Sequence, residues 1–103
     1  MLSERRRTPR ARVAVSCTLR RRRGSPINGR TLDLGPGGMS VSTARPLAQD
    51  EVVSFDLDLE GEPHVEGQAR VLRQQDFSCY ALRFEALSEP QRLRLQDLAK
   101  SPV

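Results

Sequence analysis

Apolar and polar residues alternate with a period of two along most of this chain, the mark of strands with one wet face and one buried face. The clearest case is Val53, Phe55, Leu57 and Leu59 set against Ser54, Asp56, Asp58 and Glu60. A first strand is predicted where Val13, Val15, Cys17 and Leu19 alternate with Ala14, Ser16 and Thr18; Arg20–Arg23 and Gly24-Ser25-Pro26 end it in a solvated turn. The pattern predicts a second strand over Ile27 to Leu34, with Leu32 and Leu34 on one face and Thr31 and Asp33 on the other. Gly35-Pro36-Gly37-Gly38 breaks it, because glycine admits positive φ and Pro36 cannot continue a ladder. A third strand carries Met39, Val41 and Thr43 up to Arg45-Pro46. After Gly61-Glu62-Pro63, Val65, Gly67, Ala69 and Val71 share one face of a strand ending at Arg73. Gln74-Gln75-Asp76 is the expected turn into a last strand with Tyr80, Leu82 and Phe84 inward.

Near the C-terminus the period changes. Ser88-Glu89-Pro90-Gln91 has the form of a capping box, with proline in the first turn, and predicts a helix over about 89–100. Leu95, Leu98 and Ala99 would share its face. Leu93 falls nearly opposite, as an ordinary exposed leucine or, less favoured, a partner contact. Six short strands and one helix predict an all-β fold, an antiparallel barrel or sandwich.

Composition bounds this picture. The chain has 103 residues, 37% of them apolar, with no Trp and three Phe. That is enough for one domain with a modest core. No apolar stretch approaches the roughly 20 residues of a membrane span, and no apolar segment of signal-peptide type follows Arg5 to Arg12, so no membrane association is expected. Cys17 and Cys79 lack CxxC spacing and read as reduced thiols of a cytoplasmic core, a disulfide being the minor reading.

The net charge of +4 conceals an asymmetry: Glu4 and Asp33 are the only acids of residues 1–45, whereas 47–69 hold no Lys or Arg. An anion would be drawn to the N-terminal half. Two motifs there carry chemistry. ERRRTPRAR, Glu4 to Arg12, gathers guanidinium groups that pair in forks with phosphate oxygens or a guanine O6/N7 edge. DLGPGG, Asp33 to Gly38, places a carboxylate at the lip of a tight loop, where it could accept from guanine N1–H and N2–H₂. The pair reads as a nucleotide-binding module. Alone, the first motif would be a basic tail and the second a plain hairpin turn.

Catalytic chemistry is not indicated. His64 is the single histidine, beside Pro63, and reads as a surface residue. Asp56 and Asp58 read as solvent-face acids, and no Cys/His/Asp set has metal-ligand spacing. GPGG lacks the GxxxxGK[ST] spacing of a phosphate-cradling loop. The expectation is a chain that is not an enzyme, with no metal and no cofactor.

RRTPR (Arg6 to Arg10), DLGPGGMSV, the YALRF last strand and the short terminal helix together resemble the PilZ domain family, over about Glu4 to Ala99. The resemblance implies a six-stranded antiparallel β-barrel with a short C-terminal helix (residues 13–103), preceded by a flexible Arg-rich arm (1–12). It also implies a bacterial, cytoplasmic receptor for cyclic di-GMP that relays the messenger's level to an unidentified effector protein. The family's RxxxR is met by Arg6 and Arg10, and its [D/N]xSxxG by Asp33 and Gly38, with Gly35 where the family has serine. Cyclic di-GMP would thus be held by Arg6, Arg10, Asp33, Gly35 and Gly38, supported by Arg5, Arg7, Arg12 and Gly37. Loss of the serine hydroxyl predicts retained but weaker binding. The alternative is a degenerate adaptor acting through protein contacts alone. Nucleic-acid binding is a third reading, and it lacks stacking aromatics beyond Phe77.

Overall fold

A computed structural model describes residues 14–59 and 63–100. Arg5, Arg6, Arg7, Arg10, Arg12 and Val13, and the Gly61-Glu62 part of the expected turn, lie outside the described residues. Six antiparallel strands, β1 (Ser16–Arg20), β2 (Ile27–Leu34), β3 (Gly38–Thr43), β4 (Val52–Asp58), β5 (Val65–Asp76) and β6 (Cys79–Ala86), are followed by α1 (Glu89–Lys100). The sheet closes into a barrel in the order β1-β2-β3-β6-β5-β4, so the barrel reading holds over the sandwich.

The alternation chooses the core. Cys17 and Leu19 of β1, Val53, Phe55 and Leu57 of β4, Val65, Ala69 and Val71 of β5, and Tyr80 and Leu82 of β6 are all buried. The Phe55 and Phe84 rings pack with centroids 5.2 Å apart, a tilted contact worth about 0.5–1.5 kcal/mol beyond its area. Ser88 caps α1 as expected: its hydroxyl accepts the Gln91 N–H at 3.3 Å, and its own N–H reaches the Gln91 side chain at 3.4 Å. The helix touches β2 and β5, three places apart in the ring of six, and Leu95 is fully buried in the core cluster. A helix touching opposite walls must lie across an open end of the barrel. Leu93 faces solvent at 51% exposure, and the side chains of Leu98 and Ala99 lie outside the described residues.

Three expectations are corrected. In β2, Thr31 is buried and Leu32 is 43% exposed, the reverse of the predicted faces. The β2–β3 register shifts between Thr31 and Asp33, so Leu32 is the extra residue of a bulge and resets the alternation. Thr31 tolerates burial because its hydroxyl accepts the Val15 N–H at 3.0 Å while its own N–H donates to the Val15 carbonyl. Second, β5 runs through Gln74-Gln75-Asp76, and the chain turns at Phe77-Ser78. Register shifts along β5 absorb the added length. Third, the Arg20–Arg23 run is not wholly solvated: Arg21 grips Glu51 through a fork of 2.6 and 2.9 Å, and that hydrogen bonding holds the Glu51 carboxyl below the usual carboxylate range.

Cys17 and Cys79 are both free thiols. Burial, then the nearby Asp56 charge, pushes the Cys17 thiol up to about 12. It stays protonated at neutral pH. Iodoacetamide is expected to leave Cys17 unmodified in the folded protein and to modify it once denaturant unfolds the barrel, as read by mass spectrometry. Modification at equal rates in both states would contradict this burial.

Candidate functional site

The site is built around the β2–β3 connection. The Leu32 bulge leaves Leu34 inward and turns Asp33 outward, half-buried, opposite Ser40 in the ladder. The Gly35 N–H donates to the Gly38 carbonyl at 3.0 Å, closing a two-residue turn at Pro36-Gly37. None of these glycines takes a positive φ; among the described residues only Gly24 (φ 99°) does so for glycine. Their expected role as left-handed turn residues is therefore corrected. The Gly37 carbonyl accepts the Phe84 N–H at 2.9 Å, tying the turn to β6.

The motif's last glycine answers to a steric demand. A Cβ on Gly38 would lie 2.3 Å from the Leu82 carbonyl oxygen, because β3 and β6 run too close there for any side chain. Gly37 has nothing within 4 Å of such an atom. Gly35, whose N–H closes the turn, is buried.

A groove of about 350 Å³ runs from Asp33 and the turn across the outer wall, past Gly38 and Ser40, to Arg73 and Arg83. That is the lower end of the ~300–1,000 Å³ usual for small-molecule sites. Asp33, Gly37 and Gly38 are thus brought together, Gly35 is not among the groove's lining residues, and the five arginines of the arm lie outside the described residues. Sequence reasoning does not single out Ser40, Arg73 or Arg83. The signal is weak: each is a polar residue in a strand, and only the spatial order β3-β6-β5 makes them neighbours of the motif. Arg83 reaches Glu85 at 3.2 Å, and Arg70 reaches the same carboxylate at 2.8 Å. Their hydrogen bonds, Arg70's first, hold Glu85 below the usual carboxylate range.

Two further clusters lie apart. The Arg20–Arg23 run belongs to the β1–β2 hairpin, at the end of β2 opposite the turn. His64 lies at the surface as expected, 48% exposed, and bridges two acids: Nδ1 lies 2.6 Å from Asp56 Oδ1 and Nε2 3.3 Å from Asp58 Oδ1. The β4–β5 hairpin, which pairs Leu57 with Val65, folds residue 64 back beside them. Among the described residues no group of three or more His, Cys, Asp or Glu could hold a metal ion, and no helix is long and apolar enough to cross a membrane.

A family model described as PilZ domain matches residues 4–101. The fold is similar to Bacillus subtilis inhibitor of motility (MotI/DgrA), with a TM-score of 0.81 and 15% identity over 95% of this chain and 51% of that one. It is equally similar to the PilZ domain, with c-di-GMP, of YcgR from Escherichia coli: TM-score 0.81 and 18% identity over 94% and 90% of the two chains. The PilZ domain of CeSA from a cellulose-synthesizing bacterium gives a TM-score of 0.68 and 22% identity over 88% and 94%. The chain spans about half the length of MotI/DgrA. No curated protein matches the sequence.

Proposed function

The chain belongs to the PilZ domain family, one of ligand-binding adaptor domains rather than enzymes, and from that premise we propose that it is a cyclic di-GMP receptor that relays the messenger's level to a partner protein. The observation that carries this reading is the meeting of Asp33, Gly37 and Gly38 in one groove beside the point where the N-terminal segment joins the barrel. Val15 is hydrogen-bonded to Thr31, two residues from Asp33. Arg10 precedes Ala14 by four residues, which span at most about 14 Å when extended. On chain length alone Arg10 is therefore within reach of the Asp33 rim, and Arg6 precedes it by four residues. A domain of the same fold, the PilZ domain of E. coli YcgR, has its structure with c-di-GMP.

The chemistry divides among the residues. Cyclic di-GMP is a dianion carrying two guanines. Arg6 and Arg10 pair with phosphate or a guanine edge, or stack on a base. Asp33 accepts from a guanine Watson–Crick edge, and Gly37 leaves the backbone of the turn uncovered. Arg5, Arg7 and Arg12 add positive potential. On this reading residues 1–12 act as a closing arm on the barrel unit 13–103, in a bacterial cytoplasm.

Calorimetric titration with cyclic di-GMP, against GTP as control, tests the proposal. Saturable heat with the cyclic dinucleotide alone is the expected result; silence at roughly tens of micromolar overturns it. Gly35 stands where the family has serine, so one neutral hydrogen bond is missing, worth ~0.5–1.5 kcal/mol. Gly35→Ser is expected to tighten binding about threefold to tenfold in the same titration. Unchanged or poorer affinity would show that this position does not face the ligand. A second reading, an adaptor working without ligand, is favoured by Gly35 and by exposed Leu93 on α1. It requires partner binding indifferent to the nucleotide.

A further inference from the structure

One row of ladder partners crosses four strands of the outer wall. Asp33 of β2 pairs with Ser40 of β3, Ser40 with Ala81 of β6, and Ala81 with Arg73 of β5. At about 4.8 Å per strand step, the Asp33 and Arg73 backbones stand roughly 14 Å apart. The two residues between them are small. Beside this row lies a second, in which Gly38 pairs with Arg83. The groove therefore has a carboxylate on one rim, two guanidinium groups on the other, and a shallow Ser40–Ala81 floor.

The two arginines differ. Arg83 shares Glu85 with Arg70, although its side chain is still 58% exposed. Arg73 makes no ion pair among the described residues, so its full charge faces the groove. A phosphate is drawn to the guanidinium rim, whereas a guanine N–H edge finds an acceptor in the carboxylate. The wall thus imposes a direction on any ligand carrying both groups.

Building on the receptor reading, we infer that Arg73 and Arg83 form an anion subsite on the barrel wall, holding a phosphate of the cyclic dinucleotide while Asp33 takes a guanine edge across the Ser40–Ala81 floor. Arg73 is the stronger of the pair, because Glu85 already draws on Arg83. This subsite rests on rigid strands and acts independently of arm closure.

The test is calorimetry of the full chain with cyclic di-GMP at two salt concentrations. Arg73→Ala is expected to weaken binding about tenfold or more, Arg83→Ala by less, and the double variant by more than either. The double variant should also show a shallower dependence of affinity on salt. Arg22→Ala, at the far end of the barrel, should change affinity less than about twofold. Ala81→Leu alters no charge but fills the floor, and should also weaken binding. Thermal melts show that each variant is folded. If the wild type binds and the double variant binds equally well, the subsite is refuted and the receptor reading stands. If the folded wild type binds no cyclic di-GMP, both fall together.

Discussion

Replacing Arg6 and Arg10 together by alanine is expected to weaken cyclic di-GMP binding by at least about a hundredfold. Each side chain offers a charge-assisted hydrogen bond worth about 1.5–3 kcal/mol. Removing both costs about 3–6 kcal/mol, or about a hundredfold to ten-thousandfold at 1.4 kcal/mol per decade. The hydrogen bond that a serine at position 35 would add is neutral and smaller, so these two arginines are expected to dominate the affinity. Titration of the double variant beside the wild type checks this, with a circular dichroism melt to establish that the barrel is intact. Affinity within a few fold of wild type would remove the RxxxR motif from the site. Partner capture that survives in the double variant, while nucleotide binding is abolished, would favour the ligand-independent adaptor.

The largest effect on stability is expected from Gly38→Ala. The added methyl would sit 2.3 Å from the Leu82 carbonyl oxygen, far inside van der Waals contact, and that oxygen belongs to backbone that cannot rotate away. Strands β3 and β6 must separate locally, where Met39 and Leu82 are both buried in the core. A cost of about 3 kcal/mol follows from overpacking in a close-packed interior. For a domain of this size it lowers Tm by about 12–24 °C. Gly37→Ala, one residue away in open space, should melt within about 3 °C of wild type, since no neighbour resists the methyl. Equal melting of the two variants would contradict the steric account. The motif glycine is thus held in place by strand packing as well as by its position in the groove.

The β4 alternation and the Ser88–Gln91 capping box are readable in the sequence because each depends on residues close together along the chain. Alternation also places Asp33 outward, yet for an incomplete reason, because carried through Leu32 it buries the wrong neighbours. A bulge has no local signature when the extra residue is apolar and its compensating contact, Val15 to Thr31, lies sixteen residues away. His64 escapes for a similar reason: its partners are six and eight residues back, across a hairpin. Turn composition credits the glycines with backbone freedom they do not use, since the constraint on Gly38 comes from β6, forty-four residues later. Half of the groove is invisible in the sequence because Arg73 and Arg83 adjoin Asp33 only once β6 and β5 follow β3 in the sheet. The break at Gly35-Pro36-Gly37-Gly38, by contrast, is legible because proline and glycine mark a turn without tertiary information.

The β1–β4 ladder that closes the ring has a consequence for how a partner can be met. Among the described residues, a sheet closed on itself offers no open row of amide and carbonyl groups for a visiting strand to zip onto. Under the receptor reading, a partner meeting the described residues would therefore engage side chains, such as those of the terminal helix or of the hairpin tip where Phe77 stands 91% exposed. The same seam protects the molecule at high concentration, because it withholds the template from which edge-to-edge stacking would begin.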